Sequence, residues 1–195
     1  MTIPARYNYL VTDFVPPIMV RAAMGMYGTY ENLNDGQSNP YILAWADEIE
    51  RICPSAYDKW AADYYNSDRI PWCGLFAAVC AARSCQARPE RFPPKGYLAA
   101  LSWSGWGVGV SRSLSNILVG DVIVFTNPTH VSIAVGVTNQ NTVVCLGGNQ
   151  TNSVRISEYA YSRVYAIRRP SYINRPDGAR HVVVGSTGIL SESDR

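Results

Sequence analysis

The sequence predicts an α+β fold, with helices first and an antiparallel sheet after them. Three observations carry that prediction. Apolar residues recur at three- and four-residue spacing as far as Cys85, the period of helices packed against a core. After Gly107 the period changes to short runs of Val and Ile. These runs are separated by tight turns such as Asn139-Gln140-Asn141 rather than by further helical segments, so the strands follow one another as a meander.

Composition narrows the class. The 195 residues, 47% hydrophobic and 16% charged, suit one domain with a real core and exclude a disordered chain. A net charge of +2, with the basic residues scattered, argues against nucleic acid as a partner. No stretch reaches the ~20 apolar residues of a membrane span. The start of the chain lacks the pattern of a secretory signal, so the expectation is synthesis in a cytoplasm and, for work outside it, another exit route. Thirteen tyrosines and five tryptophans suit sugar or peptide contact, and equally a core. The five cysteines are an odd number with no paired zinc-binding spacing, and with only two histidines a metal site is not expected. Free thiols in a reducing compartment are the simplest reading, and no cofactor is implied.

In chain order, residues 1–16 read as an irregular aromatic arm. Pro16-Pro17 opens a helix from Ile18 to Met26, and 27–37 is a Gly-, Asn- and Asp-rich loop. Asn39 followed by Pro40 is an N-cap for a helix to Ile52, with Ile42, Trp45, Ala46 and Ile49 as its buried stripe. Residues 53–69 are an aromatic connection. The next helix runs from Pro71, in its first turn, to about Cys85, with Trp72, Leu75, Phe76, Val79 and Cys80 on one face. After a proline-rich loop at 88–95, Gly96 to Trp106 reads as a short helix. Strands follow at 120–125, 130–137, 142–146, 154–156 and 163–168. The main domain is thus 17–169, and 170–195 is a C-terminal extension, with a small polar stretch from Gly185 read as a mobile or docking tail.

Chemistry concentrates at Cys73. In the first turn of a helix, unpaired amide hydrogens and the positive dipole end favour a thiolate. An apolar helix also carries cysteines that are merely small core residues, as Cys80 and Cys145 are read here. His130, opening a strand after a turn, is a base able to face that helix end, and as a lone residue it would equally bond a loop. The 130–137/142–146 hairpin brings Asn149 back beside His130, where its amide could hold the imidazole tautomer, although Gly147-Gly148-Asn149 is also a plain turn sequence. His181 is read as surface or structural.

Four blocks in order, Asp68-Arg69-Ile70-Pro71-Trp72-Cys73-Gly74-Leu75-Phe76, Gly120 to Phe125, His130 to Ala134, and Gly147-Gly148-Asn149-Gln150, resemble the signature of CHAP and NlpC-type cysteine peptidoglycan hydrolases. The likeness is nearest to a phage and prophage branch in which Glu31 and the Ser38-Asn39-Pro40 helix start also recur, and it covers about 18–169. It implies a papain-like fold, Cys73 as nucleophile, His130 as general base and Asn149 as the orienting residue. Relatives carry an acidic residue near that third position. Here Gly147 and Gly148 stand before Asn149, which implies orientation without a carboxylate. The implied activity is amidase or endopeptidase cleavage of cell-wall peptide amides through an acyl-enzyme, by an endolysin or a tail-borne lysin. Peptidoglycan would be the substrate, and phage tail or baseplate proteins the partners of a tail-borne form. The alternatives are a non-catalytic tail or injection component with a hydrolase-like fold, or a toxin-like or acyl-transfer enzyme.

Overall fold

A computed structural model describes residues 3–54, 60–127 and 129–191. Among the described residues five α-helices come first, α1 (Tyr9–Thr12), α2 (Ile18–Gly25), α3 (Pro40–Ile52), α4 (Trp60–Tyr64) and α5 (Cys73–Ser84). Seven strands follow, β1 (Val108–Val110), β2 (Val122–Phe125), β3 (His130–Thr138), β4 (Thr142–Gly147), β5 (Arg155–Ala160), β6 (Val164–Arg169) and β7 (Val183–Val184). They form one sheet in the order β1-β6-β2-β3-β4-β5, every neighbouring pair antiparallel, with β7 joining β3 in parallel. The protein is therefore a mixed α+β molecule built on an antiparallel sheet.

The sheet is apolar on both sides, as its continuous Val and Ile runs demand. Val122, Val124, Val131, Ile133, Val144 and Leu146 meet the helices in the main core. Ile123, Phe125, Cys145, Tyr159, Val164 and Ile167 form a second cluster closed by Ile117. At the entry to β2 the buried Asp121 carboxylate takes both ends of a fork from Arg169, Nε to Oδ1 and Nη2 to Oδ2 at 2.8 Å each, and also accepts from the Leu118 amide at 2.9 Å. That bidentate pair fastens β2 to the end of β6.

Several expectations change. The cysteine helix has no single apolar face, because every residue from Cys73 to Ala82 is buried. Helices α2 and α3 pack on it from one side and β3 and β4 from the other, so its Gly and Ala positions are contact surface too. Pro71 does not enter the first turn: Trp72 is the N-cap and the helix begins at Cys73. The 96–106 segment is helical only from Ala100 to Gly105, in 3-10 form, and the arm carries a 3-10 turn at Ala5–Tyr7 and the short α1. Strand β1 and helix α4 are additions, and β5 continues to Ala160, where sequence reading stopped it at Ile156. Residues 55–59 and Pro128, parts of the expected connection and turn, lie outside the described residues.

The C-terminal extension is docked. Buried Glu158 of β5 accepts from Ser186 Oγ at 2.7 Å and from the Thr187 amide at 2.5 Å, and Arg6 of the arm pairs with it at 3.8 Å. Among the described residues no helix is long and apolar enough to cross a membrane.

Candidate functional site

Cys73 stands at the first position of α5 and His130 at the first position of β3, and the fold brings them together. Asn39 starts the assembly: its Oδ1 accepts from the Tyr41 amide at 2.9 Å, capping α3, which packs beside α5. The Asp68 carboxylate, fully buried, accepts through Oδ2 from the amides of Asn32 (2.8 Å) and Asn39 (2.7 Å), holding the 31–39 loop against the approach to α5. Glu31 on that loop takes the Trp72 indole N–H at 2.8 Å, one residue before the cysteine.

Cys73 is buried, 6% exposed as a residue. Burial by itself pushes such a thiol up. Here the facing charge and hydrogen bond of His130, with the amide hydrogens of Val131 and Gly74, outweigh burial and bring it below its ordinary value. The imidazole facing the sulfur thus favours the thiolate more than it is favoured in a free cysteine.

His130 is fully buried and lies beside Tyr159 and Phe125, with ring centroids 5.5 and 6.1 Å away. Its Nε2 is 3.4 Å from Gln150 Oε1 and 3.4 Å from the Tyr159 hydroxyl. Gln150 cannot present its other end there. Its Nε2 amide hydrogens go to the carbonyls of Arg155 (2.7 Å) and Cys145 (3.4 Å), and its Oε1 also accepts from Ser132 Oγ at 2.9 Å. An amide so fixed turns its oxygen toward His130, an acceptor that favours a proton on Nε2.

The expected orienting residue is Asn149; the side chain found 3.4 Å from His130 Nε2 is that of its neighbour, Gln150. Continuing the β3/β4 register (Ile133 opposite Leu146) sets residue 149 across from His130, as the hairpin argument required. Asn149 however has φ of 57°, and this left-handed turn sends the Gln150 side chain back to the imidazole. Asn149 itself is buried, with Oδ1 making no hydrogen bond among the described residues. The sequence block Gly147 to Gln150 carries no expected role for Gln150; a glutamine after a Gly-Gly-Asn turn at the end of the partner strand is the available signal.

The two glycines have steric reasons. A Cβ on Gly148 would overlap the Phe76 and Trp72 side chains, and one on Gly147 would overlap Gln150 and Ser132. The bareness of Gly148 lets the end of β4 lie against the start of α5, and that of Gly147 leaves room for the Gln150 and Ser132 side chains. Cys80 and Cys145 are buried in the core clusters, and His181 takes Ile117 O at 2.9 Å at the surface. A cavity of about 520 Å³ between the arm and the C-terminal extension takes in Ser84, at the far end of α5 from Cys73, and is separate from this site.

No family model matches the chain, and no curated protein or solved structure does.

Proposed function

We propose that the protein is a cysteine amidase or endopeptidase that cleaves peptide amides of peptidoglycan, with a papain-like arrangement of helix and sheet. The observation that carries the catalytic part is the buried thiol–imidazole contact between Cys73 and His130, with the thiol below its ordinary value. The wall substrate rests on the four-block sequence likeness.

The steps follow from residue roles. The Cys73 thiolate adds to the amide carbonyl, and the tetrahedral intermediate collapses to a thioester as protonated His130 gives a proton to the leaving amine. Neutral His130 then takes a proton from water, whose oxygen attacks the thioester and releases the acid and the thiolate. Gln150 keeps the imidazole in the tautomer these transfers need. The amide of Cys73, at a helix start with no intrahelical acceptor, is a donor for the oxyanion.

Purified wall in a zymogram, with Cys73→Ala as control, tests the reading. Clearing by the unaltered protein alone is expected, and mass spectrometry of the released fragments identifies the bond. Enclosure of the pair favours one other reading, a tail or injection component with a hydrolase-like fold. Absence of clearing and of soluble fragments, with Cys73 still open to alkylation, would establish that reading instead. An endolysin and a tail-borne lysin differ in where the protein is found, so immunogold labelling of virions separates them.

A further inference from the structure

Two thiols outside the candidate site meet at the far end of α5. Cys53 is the C-cap of α3 and Cys85 the C-cap of α5. The two helices run with the same ends together: the Arg83 guanidinium forks onto the Glu48 carboxylate at 2.8 and 2.7 Å, just ahead of both cysteines. Each cysteine's backbone is pinned, Cys53 N–H to Ile49 O at 2.9 Å and Cys85 N–H to Ala82 O at 3.3 Å. Both side chains are buried in the same core cluster, with the Cys85 sulfur near enough to raise the Cys53 thiol. Burial, with the neighbouring sulfur, holds Cys53 protonated, pushed up to about 12.

We infer that Cys53 and Cys85 are a disulfide-forming pair that locks α3 to α5 once the protein meets an oxidising small-molecule disulfide. One thiolate of the pair attacks glutathione disulfide, forming a mixed disulfide and expelling one glutathione thiolate. The second, deprotonated, attacks the protein sulfur of that mixed disulfide and expels the other. The balance is two protein thiols and one glutathione disulfide giving one protein disulfide and two glutathione thiols. Cys73 differs: the groups bonded to its sulfur are His130, Val131 and Gly74, none of them a thiol. Capture there stops at a mixed disulfide.

The loop so closed, from Cys53 to Cys85, contains α4 and Cys73, and shortening the unfolded chain's freedom stabilises the fold. The high Cys53 value makes closure slow at neutral pH and faster as pH rises. An even pair within an odd set of cysteines also leaves Cys73 out of the structural bond. This inference is independent of the catalytic reading, because its readouts are bonds and melting temperature rather than wall cleavage.

Reduced Cys73→Ala protein, which has four thiols left of five, is incubated folded with glutathione disulfide, alkylated in denaturant and digested. The expected result is loss of two thiols, a single linked peptide joining Cys53 to Cys85, and a melting temperature raised by several degrees and restored by dithiothreitol. Cys85→Ser, and Cys53→Ser where it folds, should abolish both the link and the shift. Glutathione adducts without a link, a link through Cys80 or Cys145, an unchanged thiol count, or a lowered melting temperature would each overturn the inference.

Discussion

The amide oxygen of Gln150 lies 3.4 Å from Nε2 of His130, and two backbone carbonyls hold that amide so that it cannot turn round. A glutamine on the turn after β4 thus lies against the imidazole. Gln150→Ala is expected to lower kcat about a hundredfold, the low end of what general acid–base catalysis supplies, with KM little changed. Asn149→Gly, which keeps the left-handed turn, should lose less. Steady-state kinetics on soluble wall fragments check the order, and a larger loss at Asn149 would contradict it.

The acidity of Cys73 is open to direct measurement. Alkylation of the unaltered protein by iodoacetamide should rise with pH around a midpoint below the roughly 8.5 of a free thiol. Removing the imidazole in His130→Ala removes the charge and bond that favour the thiolate, so the midpoint should move up. Both Cys73→Ala and His130→Ala should abolish turnover while leaving the circular dichroism spectrum unchanged. A midpoint at or above the free value in the unaltered protein would contradict the assigned pairing.

Glycine bareness at the junction of β4 and α5 has a measurable cost of violation. Gly148→Ala drives a methyl into Phe76 and Trp72 and should cost about 1–3 kcal/mol by overpacking, together with most of the activity. Gly25→Ala, with open space around its position at the end of α2, should instead gain roughly 0.5–1 kcal/mol. Urea unfolding of the two variants gives the comparison.

Removing one member of the buried ion pair should be severe. Arg169→Ala leaves the Asp121 carboxylate enclosed without its fork and is expected to cost about 3–5 kcal/mol. Burial already pushes Asp121 up against the opposing pull of Arg169, so loss of the arginine should raise it further. Thermal unfolding against pH reads both effects.

The C-terminal extension should loosen in acid. Burial pushes Glu158 up, but bonds from Ser186 and Thr187 and the charge of Arg6 outweigh it, so its carboxyl lies below the usual value. A depressed folded value means the stabilisation is present above the unfolded value, about 4.3, and is lost as pH falls through the lower folded one. Hydrogen exchange at 186–191 should therefore accelerate at the acid end of that window. Glu158→Gln should reproduce this at neutral pH, at a cost of about 1.5–3 kcal/mol.

How far the chain could be read depends on whether a feature is local. Asn39-Pro40 is a complete helix start in itself, and the structure has the predicted bond from its side chain to Tyr41. The Asn139–Asn141 turn between two Val-rich runs leaves little choice but a hairpin, and β3 and β4 pair as read. Strand β1 was not legible, because it depends on a partner far along the chain: its three residues pair, among the described residues, with β6.

The sequence by itself determined the order of helices and strands, and it nominated Cys73 and His130, because period, capping residues and turns act over a few positions. Tertiary structure alone decided that α5 is buried on every side and that the Gln150 amide oxygen lies beside the imidazole. The reason is that a side chain's direction at the end of a strand turns on one backbone angle, here the left-handed Asn149, and on two glycines, Gly147 leaving room for Gln150 and Gly148 for Phe76 and Trp72. Such contacts bring together residues from opposite halves of the chain, and no local pattern records them.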